Sequence, residues 1–587
     1  MKKLFTVLIV ILIGNELFAQ QKISEIAPIN KERPADFEYL SAPDSTGHRT
    51  LRKVPSSALN KTQSTMKLPY PILFVHGLNS FCSTWDDFTN YLDATYGFTF
   101  GGTIDYCLNF DGSNYTTNKN RYPTAGADIA LFTPTTSLVV GDYYYLNFDV
   151  GINGSFHPNG NSADVISNQS AISKQGLAVA YAIQTILQMT GRDKVILMGH
   201  SMGGLASREY LQNWTQADGF HHTGKLATTG TPHGGSDQVT GGVLSGVDCQ
   251  SEAYRDLRTT FSGSGNYGIY LFGGVEDNIV TDLSFCSNFY NVDANCNGTV
   301  NENITGLNYK AIPLDLSYAC AIGIGSTLGG DGCVGHLQAN LNNYETLTYP
   351  ADTFVLEEPA IITTAWHVEL PKLTEANVNL LDEPNEFVLS YGISYNTNYT
   401  AFITRQHVGG YLYDYDDYKF SVSSNSTVSV SINNIPLADL AVHIVDATGN
   451  TVGSIIHSNG ATSINYSQNL NAGNYYLEIY GTPTTTSYLY PYNFILNSST
   501  VNGVTELRNE INFLIYPNPA SDLITIKTSN FNALGSLYTI NDQLGREVLN
   551  GKLTDNATAI DISNLPKGFY LIQISKNSKQ TFKFIKE

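Results

Sequence analysis

Short, uninterrupted apolar runs alternate with helical spacing through the first two thirds of the chain. The runs at residues 72–75, 195–198 and 226–229 have the length of strands that are covered on both faces. Before the second run, residues 171–190 carry apolar side chains at helical spacing, and Gly191 follows as a helix end. This alternation predicts a parallel sheet with helices on both faces, which is the α/β class.

The pattern changes to strict alternation after residue 382. Residues 418–422 and 428–432 place an apolar side chain at every second position, and further short strands follow at turn-separated intervals. A second set of strands begins near Asn512 and continues to the end of the sequence. Period-two patterning of this kind is typical of β-sandwiches. We therefore expect an α/β domain with a mostly parallel sheet, followed by two all-β sandwich modules.

The stretch from residue 97 to residue 162 fits neither pattern. It is irregular and rich in Tyr, Phe, Asn and Gly. A segment of this length inside a compact domain is usually functional or without fixed structure. Two interpretations stay open: an insertion that covers a substrate cleft, and a surface excursion with its own small hairpins.

The composition limits the kinds of molecule that the chain is expected to bind. The chain of 587 residues has 32 Lys and Arg against 52 Asp and Glu, a net charge of −20, and only 14% of its residues are charged. A negative balance argues against nucleic acid and anionic membrane surfaces as partners. The hydrophobic content of 42% is ample for packed cores. The length predicts about three or four domains.

The beginning of the chain has the features of an export signal. A basic start, a short apolar run over residues 4–13 and the small residue Ala19 predict a secretory signal peptide over residues 1–19. Residues 20–66 are polar and are expected to form a loosely ordered lead-in. We expect no transmembrane segment, because no apolar run is long enough to cross a bilayer.

All seven cysteines fall between residues 82 and 333. In an exported protein they are expected to form disulfides rather than metal sites. The sequence contains no CxxC motif, which weakens the case for a zinc site. Because their number is odd, at least one must be unpaired or must pair between molecules.

The candidate chemistry centres on Ser201. Gly199 and Gly203 flank it at the two positions where a side chain would clash with a tight turn. The apolar run at 195–198 precedes the motif, and helical spacing resumes over residues 205–214. A G-x-S-x-G motif between a strand and a helix predicts a nucleophile elbow, which lifts the hydroxyl clear of the sheet and aims the helix N-terminus at it.

A serine hydroxyl needs a base, and the α/β-hydrolase order places an acid and then a histidine after the serine. Asp331 lies in a Gly-rich loop after the apolar run at 318–324, where a sheet presents its acid. His336 and His367 are the candidate bases. His336 follows the acid closely, a short span if both must reach Ser201 from separate loops, so we favour His367. The alternative, in which Asp331 forms only a turn and His367 lies on the surface, stays open.

Two backbone N–H groups are expected to bind the oxyanion. One is that of Met202, by the geometry of the elbow, and the other is that of Leu78 in the loop after the first strand. His76 in the same loop is expected to pack and hydrogen-bond rather than to act as an acid or base.

A weaker constellation suggests a metal ion. Asp293, Asn295 and Asn297 precede Gly298 in the spacing D-x-N-x-N-G, which resembles the start of a calcium loop. Position twelve of such a loop would be Ile304 instead of Glu. A structural calcium ion at this loop is one hypothesis and an Asn/Gly-rich turn is the other. No cofactor is expected for the chemistry itself.

Three segments together resemble a known family. The sequences HG at 76–77, GHSMG at 199–203 and GTPHGG at 230–235 are similar to those of secreted bacterial lipases, in particular the branch related to the GPI inositol-deacylases. The resemblance covers residues 67–375 and implies the α/β-hydrolase fold. The long Tyr-rich insertion departs from the family pattern and leaves the size of the substrate open.

The same resemblance implies roles for individual residues. It implies that Ser201, Asp331 and His367 form the catalytic triad. It also implies that His233, within the GTPHGG segment, is structural.

Two further resemblances cover the β modules. Residues 382–497 are similar to the bacterial pre-peptidase C-terminal domain, through EPN at 383–385 and DYKFSV at 417–422. Residues 512–587 are similar to the C-terminal sorting domain of the type IX secretion system, through YPNPA at 516–520 among other segments. The second resemblance implies a Gram-negative envelope, export to the periplasm and passage to the surface or medium, with the type IX machinery as partner.

The expected organisation has five parts. In order they are a signal peptide at 1–19, a lead-in at 20–66, an α/β-hydrolase domain at 67–381, a pre-peptidase C-terminal-like sandwich at 382–500 and a sorting domain at 512–587. We expect the hydrolase domain to fold and act without the two β modules.

The expected function is that of a secreted serine ester hydrolase, a lipase or esterase that acts on a lipid or another ester through an acyl-enzyme. A phospholipase or a deacylase of inositol-linked acyl chains is the nearest alternative. The alternative from another class is a non-catalytic surface-binding protein with a hydrolase shell.

Overall fold

The chain divides into two compact units, residues 1–501 and residues 502–587. The computed structural model describes residues 21–22, 36–40, 51–55, 66–106, 108, 138–148, 167–216, 218–236, 251–258, 269–276, 293–297, 299–324, 330–357, 366–404, 414–435, 439–481, 489–500, 513–528, 535–543, 545–575 and 579–587. The predicted signal peptide and most of the predicted lead-in lie outside these residues.

Three short strands precede the central sheet. They are β1 (Gln21–Lys22), β2 (Asp36–Leu40) and β3 (Leu51–Pro55). Strands β2 and β3 pair with each other in antiparallel register.

A seven-stranded parallel sheet forms the centre of the first unit. Its strands are β4 (Ile72–Val75), β5 (Phe100–Asp105), β6 (Tyr143–Asn147), β7 (Val195–His200), β9 (Thr223–Thr229), β12 (Ser317–Ile324) and β13 (Asp352–Glu357). The short strands between them are β8 (Trp214–Thr215), β10 (Gly274–Val275) and β11 (Asn303–Ile304). Across the sheet the order is β13-β12-β9-β7-β4-β6-β5, so β7 lies in the middle. The predicted α/β fold with a parallel sheet is confirmed.

The described α-helices all belong to this unit. They are α1 (Asp86–Tyr96), α2 (Ile172–Thr190), α3 (Met202–Asn213), α4 (Glu252–Asp256), α5 (Ile269–Phe272), α6 (His336–Ala339), α7 (Trp366–Glu369) and α8 (Thr374–Val378). Short 3-10 helices are Cys82–Trp85, Ser167–Gln169, Leu307–Tyr309, Leu341–Asn343, Leu370–Lys372, Asn379–Leu381 and Phe387–Leu389. Gly191 ends α2 with a φ of 68°, and its N–H donates to the carbonyl of Leu187 at 2.9 Å.

The prediction that residues 97–162 are irregular is wrong for residues 100–105 and 143–147, which form strands β5 and β6. Strands β5 and β6 extend the central sheet on one side, and much of the remaining stretch lies outside the described residues. Tyr143, Tyr144 and Tyr145 of this segment lie in β6 and are buried. The rings of Tyr143 and Tyr145 lie 5.9 and 6.2 Å from the ring of Phe74. Aromatic side chains favour strands when such a surface covers them.

The predicted middle sandwich is also present. Its strands are β14 (Tyr391–Gly392), β15 (Asn398–Thr404), β16 (Asp414–Val422), β17 (Ser426–Asn433), β18 (Leu440–Asp446), β19 (Thr451–His457), β20 (Ser463–Leu470), β21 (Gly473–Gly481) and β22 (Leu489–Thr500). They form a five-stranded sheet, β14-β16-β21-β18-β19, and a four-stranded sheet, β15-β22-β17-β20. Val428, Val430 and Ile432 of β17 are all buried, as the alternating pattern predicts.

The sandwich and the catalytic sheet share one apolar core. The rings of Tyr96 and Phe402 lie 5.1 Å apart, and those of Tyr70 and Tyr391 lie 4.9 Å apart. Tyr70 and Tyr96 belong to the predicted hydrolase domain, and both are buried. The boundary between residues 381 and 382 stays a prediction, but independent folding of the residues before it is not supported by this packing.

A chain cut after Leu381 should therefore be unstable. Uncovering a large apolar side chain costs about 1.5–3 kcal/mol, and Tyr70 and Tyr96 would both lose their cover. We expect residues 1–381 to be insoluble, or to melt several degrees below residues 1–501. The matched control, residues 1–501, keeps the shared core. Equal melting temperatures of two soluble proteins would contradict the expectation.

The second unit is a small β-sandwich of its own. Its strands are β23 (Phe513–Tyr516), β24 (Leu523–Thr528), β25 (Leu537–Asn541), β26 (Glu547–Lys552), β27 (Ala557–Asp561), β28 (Gly568–Ser575) and β29 (Lys579–Lys586). They form a three-stranded and a four-stranded sheet around buried Ile524, Ile540, Ile572 and Phe584.

The described cysteines do not support the predicted disulfides. In the described ranges, no disulfide joins any two of Cys82, Cys296, Cys320 and Cys333. Cys320 lies in the middle of β12 and is fully buried, where its thiol packs as a small apolar group. The other three cysteines lie outside the described residues, so a disulfide that involves them stays a prediction.

Candidate active site

Ser201 occupies the apex of the turn between β7 and α3. It adopts a φ of 54° and a ψ of −128°, a backbone conformation that residues other than glycine rarely adopt. Its N–H donates to the carbonyl of Thr229 at 3.0 Å, which ties the apex to the end of the neighbouring strand β9. The turn thus has the sharp geometry that the G-x-S-x-G motif predicts.

The glycines of this region make room for close backbone contacts. A Cβ on Gly203 would lie 2.4 Å from the carbonyl oxygen of Val75, so α3 could not approach β4 as it does. A Cβ on Gly77 would lie 2.7 Å from the Cβ of Ser201 and 3.3 Å from its Oγ. The loop after β4 therefore passes directly against the serine.

Asp331 and His367 form a buried pair. Nδ1 of His367 lies 2.5 Å from Oδ2 of Asp331. The other carboxylate oxygen accepts the N–H groups of Cys333 at 2.9 Å and Val334 at 2.7 Å. The carboxylate is held by its own loop on one side and by the imidazole on the other.

The turn after β9 links this pair to the serine. A Cβ on Gly230 would lie 2.9 Å from Oδ2 of Asp331 and 3.0 Å from Cε1 of His367. The preceding residue, Thr229, accepts the N–H of Ser201. The structure therefore gathers Ser201, Asp331 and His367 around residues 229–230.

His336, the second candidate base, has a different environment. It is the first residue of α6, and its side chain is exposed. Within the described part of the chain, the carboxylate of Asp331 bonds to His367 and not to His336.

The two expected oxyanion donors belong to one apolar cluster. Met202 is fully buried in it, and Leu78 packs against it. Met202 is the first residue of α3, so no carbonyl of the same helix can accept its N–H. His76 holds the adjacent loops: its Nε2 accepts the N–H of Phe148 at 2.8 Å, so its Nδ1 carries the proton and donates to the carbonyl of Gly77 at 2.9 Å.

Family models match four parts of the chain. Residues 69–247 match the PGAP1-like alpha/beta domain, and residues 178–342 match the lecithin:cholesterol acyltransferase family. The chain is a lipase-like α/β-hydrolase. Residues 414–481 match the bacterial pre-peptidase C-terminal domain, and residues 514–587 match the secretion system C-terminal sorting domain. The hydrolase is therefore exported by type IX secretion to the cell surface or the extracellular space.

Several solved structures resemble parts of the hydrolase. A gene product of Listeria innocua is 16% identical over 54% of this chain and 95% of its own, with a TM-score of 0.31. The lipase BlEst2 of Bacillus licheniformis in its propeptide form is 15% identical over 89% of this chain and 95% of its own, with a TM-score of 0.28. The pre-peptidase C-terminal domain of a Bacillus anthracis collagenase is 22% identical over 20% of this chain and 99% of its own, with a TM-score of 0.16. A comparison with curated proteins finds no match.

His233 of the hydrolase is enclosed in the core. Its Nε2 lies 3.2 Å from the hydroxyl of Thr228, and its Nδ1 lies 3.4 Å from the guanidinium of Arg208. Burial and the neighbouring Arg208 hold the pKa of His233 well below its usual value. These contacts suit the structural role that the family resemblance implies.

Across the described residues, no helix is long and apolar enough to cross a membrane.

The candidate calcium loop has hydrogen bonds among its own residues. Oδ1 of Asp293 and Oδ1 of Asn295 both accept the N–H of Asn297, at 3.0 and 3.2 Å. Oδ1 of Asn297 accepts the N–H of Thr299 at 2.8 Å. The side-chain amides of Asn295 and Asn297 both donate to Oε1 of Glu302. Calcium binding by Asp293, Asn295 and Asn297 stays a prediction.

A group of carboxylates that sequence reasoning missed lies in the sandwich. Oxygen atoms of Asp382, Asp414 and Asp416 all lie within 4.8 Å of one another, and each residue has one buried oxygen without a hydrogen-bond partner among the described residues. Burial raises the pKa of Asp414 to about 8 and that of the adjacent Glu383 to about 7. The ammonium of Lys225 donates to the carbonyl of Asp382 at 2.6 Å. Such an oxygen cluster suits a hard cation, and only its spacing in three dimensions reveals it.

Removing calcium tests both candidate ion sites, the loop at Asp293 and the carboxylate group in the sandwich, in one experiment. If the loop at Asp293 binds the ion, EDTA should lower the melting temperature and calcium should restore it, since binding at 100 times Kd stabilises the folded state by about 2.7 kcal/mol. Asp293→Ala should then abolish the response, measured by thermal unfolding with and without EDTA. A response that survives Asp293→Ala and is lost in Asp416→Asn would move the ion to the sandwich. No response in the unsubstituted protein would leave the loop a plain turn.

Proposed function

We propose that this hydrolase is a lipase or esterase that cleaves carboxylic esters through an acyl-enzyme on Ser201. The observation that carries the proposal is the placement of Ser201 at a strained elbow, beside the turn that also contacts the buried Asp331–His367 pair. A serine in this position is exposed to a base and to the N-terminus of α3.

His367 is the proposed general base. Because its Nδ1 bonds to a carboxylate, which can only accept, the proton lies on Nδ1 and the lone pair lies on Nε2. Nε2 takes the proton of Ser201 as its Oγ attacks the ester carbonyl. Asp331 fixes this tautomer and stabilises the imidazolium that forms. His367 then returns the proton to the leaving alcohol, and water releases the acid by the same steps.

The N–H groups of Met202 and Leu78 are the proposed oxyanion donors. The first gains from the partial positive charge at the N-terminus of α3. The second lies in the loop that Gly77 allows to pass against Ser201. Donors that are aimed in advance at the developing charge are worth about 2.7–4 kcal/mol each in the transition state. No cofactor enters this chemistry.

A second candidate function is the hydrolysis of phospholipids or of inositol-linked acyl chains. It is favoured by the matches to the PGAP1-like domain and to the lecithin:cholesterol acyltransferase family, which span residues 69–342 between them. The reaction and the roles of Ser201, Asp331 and His367 would be the same. Only the group that carries the ester would differ.

A panel of substrates separates these functions. An esterase should cleave p-nitrophenyl acetate fastest, and a lipase should also cleave p-nitrophenyl palmitate. A phospholipase or deacylase should release fatty acid from phosphatidylcholine or phosphatidylinositol vesicles faster than from either ester. Ser201→Ala is the matched control for each substrate. If neither the unsubstituted protein nor Ser201→Ala hydrolyses any of these substrates above the uncatalysed background rate, a non-catalytic binding protein is favoured.

A further inference from the structure

His200, the last residue of β7, contacts the proposed base through both its ring and its hydrogen bond. Its Nε2 lies 3.2 Å from the backbone carbonyl oxygen of His367. The two imidazole rings lie 4.8 Å apart between centroids at an interplanar angle of 37°. His200 therefore touches the base at its main chain and beneath its side chain.

The hydrogen bond fixes the tautomer of His200. A carbonyl oxygen can only accept, so Nε2 of His200 carries the proton and Nδ1 does not. Nδ1 is buried and has no hydrogen-bond partner among the described residues. Burial, together with the nearby His367, holds the pKa of His200 well below its usual value. His200 thus stays neutral and does not oppose the positive charge that forms on His367.

The ring of His200 also contacts a buried tryptophan. The indole ring of Trp85 lies 6.3 Å away and meets it edge-on at 87°. Trp85 is fully buried, and His200 is 5% exposed. A buried ring in contact with both Trp85 and His367 has little freedom to move, so it provides a rigid support.

His367 needs such a support because its own element is short. Helix α7 has only four residues, and Asp331 holds just one edge of the imidazole. His200 precedes Ser201 directly, so the backbone that carries the nucleophile is also the one that supports the base. A displacement of about 1 Å between reacting groups can cost about 10²-fold in rate.

We propose that His200 is a positioning residue that keeps the general base in place relative to the nucleophile, by anchoring the His367 carbonyl and supporting its ring. The inference rests on the proposed function, since it assigns His200 to the same site. His200 has no proposed contact with the reacting atoms and acts only through His367.

Three substitutions test the proposal by steady-state hydrolysis of a p-nitrophenyl ester. His200→Leu removes the donor and should lower kcat by about 10²-fold, with KM changed less than about twofold. His200→Gln places an amide N–H where Nε2 lies and should restore most of kcat. His200→Asn keeps an amide that is too short to reach the carbonyl, and it should behave like the leucine variant. It replaces that variant if the leucine protein does not fold.

The outcomes distinguish a failure of the proposed role of His200 from a failure of the proposed function. Ser201→Ala is measured in parallel, together with the melting temperature of every variant. If Ser201→Ala stays active, the proposed function fails. If Ser201→Ala is inactive while the leucine and asparagine variants keep wild-type kcat, only the role of His200 fails. Equal losses in the glutamine and leucine variants, with equally lowered melting temperatures, would also overturn it, because they would show a core residue and no specific anchor.

Discussion

Ester turnover should fall by about 10⁴-fold or more when Ser201 is replaced by alanine, because only the oxyanion donors and substrate binding would remain. The melting temperature should change little, since alanine keeps the backbone conformation and Ser201 is only half-buried. The measurement is kcat/KM on a p-nitrophenyl ester, with thermal unfolding of the same protein.

Ser207→Ala is the matched control for this change. Ser207 lies in α3, the helix that begins directly after Ser201, is buried, and donates its hydroxyl to the carbonyl of Gly203 at 2.9 Å. Its loss should leave kcat/KM within a few-fold of the unsubstituted enzyme. If Ser201→Ala kept even a tenth of the activity, Ser201 would have no place in the mechanism.

His367→Ala should be as damaging as the serine change, because the members of a triad act as a unit. The physical reason is the buried contact between His367 and Asp331, which leaves Nε2 as the base. His336→Ala provides a control of the same chemical type at an exposed position and should cost little. The comparison is again kcat/KM for the two variants.

The opposite ranking of the two histidines would reassign the base to His336. The reaction class would survive that result, since Ser201 and the elbow do not depend on which histidine takes the proton. Equal and small effects of both substitutions would remove both His367 and His336 from the mechanism.

Local signals explain what could be predicted from the sequence. The turn at Ser201 depends on its two flanking glycines and on the strand and helix beside them, all within about ten residues. The ends of α2 and the alternating burial of Val428, Val430 and Ile432 are likewise local consequences of residue type. These features are found in the structure as predicted, because short-range sterics and the periodicity of the sequence determine them.

Contacts between distant segments explain what could not be predicted. His200 and the carbonyl of His367 lie 167 positions apart, and no spacing rule connects them. Strands β5 and β6 were missed because glycines and tyrosines dominate them, and their stability comes from pairing and packing across the sheet. Alternation in the sandwich marks which side chains are buried but not that Phe402 packs on Tyr96 of another segment.

The central claim is that Ser201 is a nucleophile activated by His367. An alkyl fluorophosphonate tests it directly, because an activated serine attacks phosphorus, expels fluoride and keeps the phosphonyl group. After reaction and proteolysis, mass spectrometry should find one phosphonylated residue, Ser201, with labelling absent in Ser201→Ala and strongly slowed in His367→Ala. A phosphonyl group on another residue that tracks the loss of activity, or full inhibition without a label on Ser201, would contradict the account.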